Sequence, residues 1–116
     1  IKSLGRDSKG SEELISLAKM LEIAGSKLIV LECISSYTAK KITKALSIPT
    51  IGIGASKYCD GQVLVIDDLL NLGSDKKKPK FVKNFVNIEK YIIKAIEKYV
   101  TDVKKKKFPS NKNSYK

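Results

Sequence analysis

An unbroken run of β-prone residues, Leu28-Ile29-Val30-Leu31, constrains this chain more than any other feature. Without polar alternation, such a run predicts a strand covered on both faces, as in a parallel sheet flanked by helices. Its neighbours agree. Residues 11–24 set Leu14, Leu17, Ala18 and Leu21 on one helical stripe. Ser11 is placed to cap this helix, Glu12 and Glu13 suit the first turn of its dipole, and Gly25 suits its end. A second stripe, Ala39, Ile42, Ala45 and Leu46, has Ser35 or Ser36 as its cap. Pro49 then opens a second strand, Thr50-Ile51-Gly52-Ile53. Helix, strand, helix, strand is the order of an α/β protein.

A third strand is predicted over Val63–Ile66, reached through the nine residues Gly54 to Gln62. That is short for an ordinary crossover helix, and Asp60-Gly61 could turn a hairpin, so spacing allows a parallel or an antiparallel partner. Leu69–Leu72 reads as a helical turn and Gly73–Lys80 as a Lys-rich loop. Residues 88–103 form the clearest helix, with Ile88, Ile92, Ala95, Ile96, Tyr99 and Val103 on one side and Lys90, Lys94 and Lys98 on the other. Three short strands and three main helices cannot close a barrel. The chain is therefore expected to be the end of something longer, with residues 1–10 as a loop from an earlier strand.

With 116 residues and 42% of them hydrophobic, the chain supports one compact domain and excludes disorder over most of its length. No apolar run reaches the ~18 residues of a membrane span. Cys33 and Cys59 are not spaced as a CxxC pair, and histidine is absent, which excludes a structural zinc site and leaves two reduced thiols. No export leader is evident, so a cytoplasmic location is expected. Proton chemistry near neutral pH must fall to a carboxylate, Lys, Tyr or Cys.

The formal charge of +11 is uneven: residues 1–70 hold nine basic and eight acidic groups, residues 71–116 fourteen and four. The excess lies in Lys76, Lys77, Lys78 and Lys80 and in Lys104 to Lys107, before a polar ending that reads as a frayed tail over 104–116. Such runs suit an anionic partner or simply a solvated surface. Nucleic-acid reading is disfavoured, because Arg6 is the sole arginine and the lysines are not interleaved with aromatics.

Glu32 is the most pointed candidate for chemistry. It directly follows the first strand, and parallel α/β proteins bind ligands at the carboxyl ends of strands. A carboxylate there can serve as a base, or can merely cap the next helix or pair with a lysine. Gly52 and Gly54 allow close backbone approach to a ligand, or tight packing against a barrel interior, and lack the rest of a dinucleotide fingerprint. Asp67 and Asp68 could hold Mg²⁺, although adjacent side chains on an extended chain point apart.

Four ordered blocks, Leu28 to Cys33, Ala39 to Ala55, Asp60 to Val65 and Lys78 to Lys83, resemble the ketopantoate hydroxymethyltransferase family, with similarity continuing to Phe108-Pro109. The resemblance implies a (β/α)₈ barrel of the phosphoenolpyruvate mutase type. Such barrels take roughly 250 residues, so residues 1–103 would be its C-terminal half, about strands six to eight. It also implies that the last two strands run parallel.

Members transfer a hydroxymethyl group from 5,10-methylenetetrahydrofolate to 3-methyl-2-oxobutanoate, giving 2-dehydropantoate on the route to pantothenate and coenzyme A. Mg²⁺ holds the keto acid, and the strand-six glutamate, here Glu32, takes its proton. The resemblance places the Mg²⁺ ligands in the N-terminal half and assigns none here. It implies a ring-based homo-oligomer, a decamer by family expectation, with the C-terminal helix facing a neighbouring subunit, and no nucleic-acid or membrane partner. The sequence departs from the family pattern at Ile34-Ser35, where Val-Pro is common, at Ser56 for Gly, and at Asn113 for His.

Overall fold

The computed structural model describes residues 3–73 and 78–115. Its elements are α1 (Ser8–Ile23), β1 (Ile29–Glu32), α2 (Ser36–Ala45), β2 (Thr50–Ile53), β3 (Gly61–Gln62), α3 (Ile66–Leu70), α4 (Glu89–Lys104) and a 3-10 turn at Asn111–Asn113. The strands form one parallel sheet in the order β1-β2-β3. The fold is α/β.

Helix α1 starts three residues before the expected cap. Asp7, in extended backbone, accepts the Gly10 N–H at 2.6 Å, so the carboxylate takes the capping role. Ser11 is instead buried inside the helix. Ser35 caps α2, accepting the Thr38 N–H at 3.3 Å. Both helices put small or branched residues on one side of the sheet, where Ala18, Ala39 and Ile42 close over Ile29 and Leu31.

The sheet itself differs from the expectation of two covered faces. Ile29 and Leu31 are buried, whereas Val30 and Glu32 are exposed. Period-2 alternation explains the difference: the helix layer covers one face, and among the described residues nothing comparable covers the other. The register pairs Val30 with Ile51 and Glu32 with Ile53, so the open face is a patch of branched side chains with one carboxylate at its end.

The third strand pairs earlier in sequence than predicted, at Gly61–Gln62, and Ile66 begins α3. Its parallel direction removes the hairpin alternative. The Asp60 carboxylate accepts the Thr50 N–H at 2.8 Å and the Thr50 hydroxyl at 3.1 Å, which anchors the incoming chain beside the start of β2. From there it can only run forward, and Val63 N–H still donates to the Gly52 carbonyl at 3.0 Å.

The chain divides into two units, one holding α1, α2 and the sheet with the Phe81 segment, the other holding α3, α4 and the tail. In the second, Leu69 and Leu70 carbonyls accept the N–H groups of Phe85 and Ile88. Helix α4 has its expected stripe, yet none of its residues is buried. Phe108 packs edge-on to Tyr99 with centroids 5.7 Å apart, and Ser110 caps the final turn. Lys76 and Lys77 lie outside the described residues.

Candidate active site

The carboxyl ends of β1 and β2 carry the features that bear on function. Glu32 ends β1, and its side chain stands exposed on the open face, with no hydrogen bond or ion pair among the described residues. Cys33 then takes a left-handed conformation, φ 52°. Its N–H donates to the Ile53 carbonyl at 2.9 Å and its own carbonyl accepts the Leu4 N–H at 2.8 Å. The chain thereby turns from the sheet into a clasp with the segment before α1.

Hydroxyls hold that clasp shut. The Gly5 carbonyl accepts from Ser35 Oγ at 2.5 Å and from Thr38 Oγ1 at 2.7 Å, and Thr38 shares a further bond with Ser11 at 2.8 Å. Ser35 N–H also donates to the Leu4 carbonyl at 2.8 Å. Gly5 has φ +65°, and a Cβ there would lie 2.9 Å from Leu14 Cδ1, so only glycine suits the position. No buried side-chain polar atom among the described residues lacks a partner.

Beside the clasp lies a hollow of about 490 Å³. Arg6, Lys80, Gln62 and Ser3 supply polar groups, while Phe81 and Cys33 line the rest with the Gly54 backbone. Gly54, at φ +63°, lets the Phe81 ring lie against the main chain; a Cβ would come within 2.5 Å of it. Gln62 donates to the Ser56 carbonyl at 2.7 Å, and Ser56 Oγ sits 3.1 Å from Ser36 Oγ. Both serine departures, Ser35 and Ser56, are therefore built into the loops at this end of the sheet.

The expected residues fall out differently. Glu32 neighbours the hollow in sequence through Cys33 but does not line it. Gly52 lies on the helix-side face, where a Cβ would meet Gln62 and Cys59, so it serves close packing there rather than against a barrel interior. Asp67 and Asp68 occupy the first turn of α3, a placement the helix dipole favours, in the second unit. Both cysteines are free thiols, Cys59 buried and Cys33 half-buried. Sequence reasoning missed Arg6, Gln62 and Phe81 as a group. Their only common signal is the glycine beside or near each, Gly5, Gly61 and Gly54, and the last of these is distant in sequence.

A parallel sheet with a hollow and an unpaired carboxylate at the carboxyl ends of its strands is the arrangement of an α/β enzyme. Sequence comparison identifies the family. Residues 1–111 match ketopantoate hydroxymethyltransferase, and the chain belongs to that family. It is 51% identical over 112 residues to a 3-methyl-2-oxobutanoate hydroxymethyltransferase of Clostridium botulinum (strain 657 / Type Ba4), covering 97% of this chain and 40% of that protein. The proteins of the same name from Pelagibacter ubique (strain HTCC1062) and Bacillus cereus (strain AH187) are 50% and 46% identical. Each match takes in 96% of this chain and, respectively, 42% and 40% of the relative. The chain thus spans about two fifths of the length of the curated relatives it matches.

Proposed function

We propose that this chain is the C-terminal part of a (β/α)₈ barrel that transfers a hydroxymethyl group from 5,10-methylenetetrahydrofolate to 3-methyl-2-oxobutanoate, with Glu32 as the base. The observation that carries the reading is the position of Glu32: an unpaired carboxylate at the end of a parallel strand, on the face that the helices leave open. In a closed barrel that face is the interior. Among the described residues β1 and β3 are the outer strands, and past the end of β1 only Leu4 continues the parallel pairing, by a bridge to Ile34. This supports the same view, since a closed sheet removes edges.

Glu32 takes the proton from C3 of the keto acid, leaving an enolate. Water releases the one-carbon unit from N5 and N10 of the folate as formaldehyde, which breaks both C–N bonds and frees tetrahydrofolate. The enolate carbon then adds to the formaldehyde carbon, whose oxygen takes up a proton and becomes the hydroxyl of 2-dehydropantoate. Among the described residues no three metal-binding groups stand close enough to hold an ion. The family resemblance, rather than that absence, assigns the Mg²⁺ to ligands in the N-terminal half. The exposed stripe of α4, including Ile92, Ile96 and Tyr99, supports the reading that this helix meets a neighbouring subunit in a homo-oligomer. No helix among the described residues is long and apolar enough to cross a membrane. The relatives named above give no support to an anion-binding module built on the lysine runs.

The test is exchange of the C3 proton with solvent, followed by NMR in D₂O, in a chain extended to the length of the relatives. Glu32→Gln should slow exchange by about 10²–10⁴-fold, the usual worth of a general base, while keto-acid binding persists. Unchanged exchange removes Glu32 from the role. The 116 residues alone should show no turnover.

A further inference from the structure

We infer that the hollow beside the clasp is a carboxylate-binding subsite, with Arg6 and Lys80 as its anion-holding groups. Its existence follows from the hollow itself; only the ligand's identity rests on the transferase reading. Among the described residues two cations line it and no carboxylate does. Among the described residues neither Arg6 nor Lys80 forms an ion pair. Cations gathered without a counter-charge raise the local potential for an anion.

Arg6 is the sole arginine among 23 basic residues, and its guanidinium fork matches a carboxylate in a way that lysine cannot. It is also held in place. Its Nε donates to Ser3 Oγ at 2.9 Å, which orients the guanidinium plane and leaves the terminal nitrogens for a ligand. The backbone just before it is fixed by Leu4 and Gly5 to Cys33, Ser35 and Thr38. Such anchoring lowers the ordering cost of binding. Phe81, its ring lying on Gly54, adds an apolar group to the lining.

The hollow, about 490 Å³ and open to solvent, has room for a drug-sized ligand. A ligand that joins a flat ring system to a carboxylate tail matches this lining of cations and an aromatic ring. Tetrahydrofolate, with its glutamate carboxylates, has that chemistry, and the keto acid's carboxylate is the other source.

Calorimetric titration of a chain extended to the length of the relatives separates these sources. The probes are tetrahydrofolate, tetrahydropteroate, which lacks the glutamate, and 3-methyl-2-oxobutanoate. Arg6→Gln should weaken tetrahydrofolate about tenfold or more, with a smaller loss for Lys80→Gln, and leave tetrahydropteroate unchanged. A loss confined to the keto acid would keep the subsite and assign it to that carboxylate. Equal affinity for all three probes in both variants overturns the subsite. If all three weaken together, Arg6→Lys decides: recovered tetrahydrofolate affinity sustains a charge role, and no recovery overturns it. Proton exchange at C3, measured alongside, keeps the two proposals apart. Exchange unchanged in Glu32→Gln together with Arg6-sensitive tetrahydrofolate binding refutes the Glu32 role alone, and exchange slowed in Glu32→Gln with no Arg6 effect refutes the subsite alone.

Discussion

The two faces of the sheet are made from alternate residues of the same strands, and they have opposite fates. Ile29, Leu31, Thr50 and Gly52 lie under α1 and α2, with every buried polar side chain among the described residues paired. Val30, Glu32, Ile51 and Ile53 face away from the helices, and Val30 is 54% exposed. The first face carries stability. The second holds an apolar surface and a carboxylate that nothing among the described residues satisfies. Helix α4 tells the same story: its stripe is as clear as that of α2, yet α2 buries Ala39 and Ile42 completely and α4 buries nothing.

Substitutions on the covered face should have the largest effect on stability. Ile42 is 1% exposed, and Ile42→Ala should cost about 2–5 kcal/mol through lost burial and the cavity left behind. Val30→Ala should fall within about 0.5 kcal/mol in this chain, as at an exposed site. In a chain extended to the relatives' length the same change should cost about 1.5 kcal/mol, two methyl-sized groups at ~0.8 each. Urea unfolding measures all three. Equal costs for Ile42→Ala and Val30→Ala in this chain would end the contrast between the faces.

The clasp on the covered side comes next. Thr38→Val keeps the shape but leaves the Gly5 carbonyl and Ser11 short of a partner, for an expected loss of about 1–3 kcal/mol by the same measurement. No loss would mean that Ser35 satisfies the Gly5 carbonyl alone.

The smallest effect lies at the end of the helix layer. Glu22 accepts from Ser47 Oγ at 2.6 Å, Ser47 N at 2.8 Å and Ile48 N at 3.1 Å, so α1 grips the turn into β2. The Ser47 hydroxyl, then its N–H, holds this carboxyl below its ordinary value of 4.5. With the folded pKa depressed, the stabilisation is present above pH 4.5 and is lost as the pH falls through the lower folded value. Glu22→Gln should flatten the fall in urea midpoint below pH 4.5. An unchanged slope would assign the acid sensitivity to other carboxylates.

Much of the scaffold is legible locally. The stripe of α2, its Ser35 cap and the span Thr50–Ile53 need only neighbours in sequence. Where reading went astray, a distant partner was responsible. Ser11 is a good capping residue, but Asp7 lies better placed and Thr38, 27 residues away, claims the Ser11 hydroxyl. Asp60-Gly61 has hairpin chemistry, but Thr50 captures the aspartate and turns the strand parallel. Glu32 stood out because strand ends carry ligands. The Arg6 hollow did not, because it joins residues from the start, middle and end of the first unit.

The amino-acid order alone determined the alternation of helix and strand, the Ser35 cap and stripe of α2, and the carboxylate at the end of β1, because these depend on backbone preferences and periodicity within a few residues. Only the tertiary structure decided which face of the sheet is covered, the direction of β3 and the gathering of Arg6, Gln62, Lys80 and Phe81 around one hollow. Those outcomes depend on hydrogen bonds and burial between segments far apart in the chain, and short-range preferences carry no information about which distant partner will win.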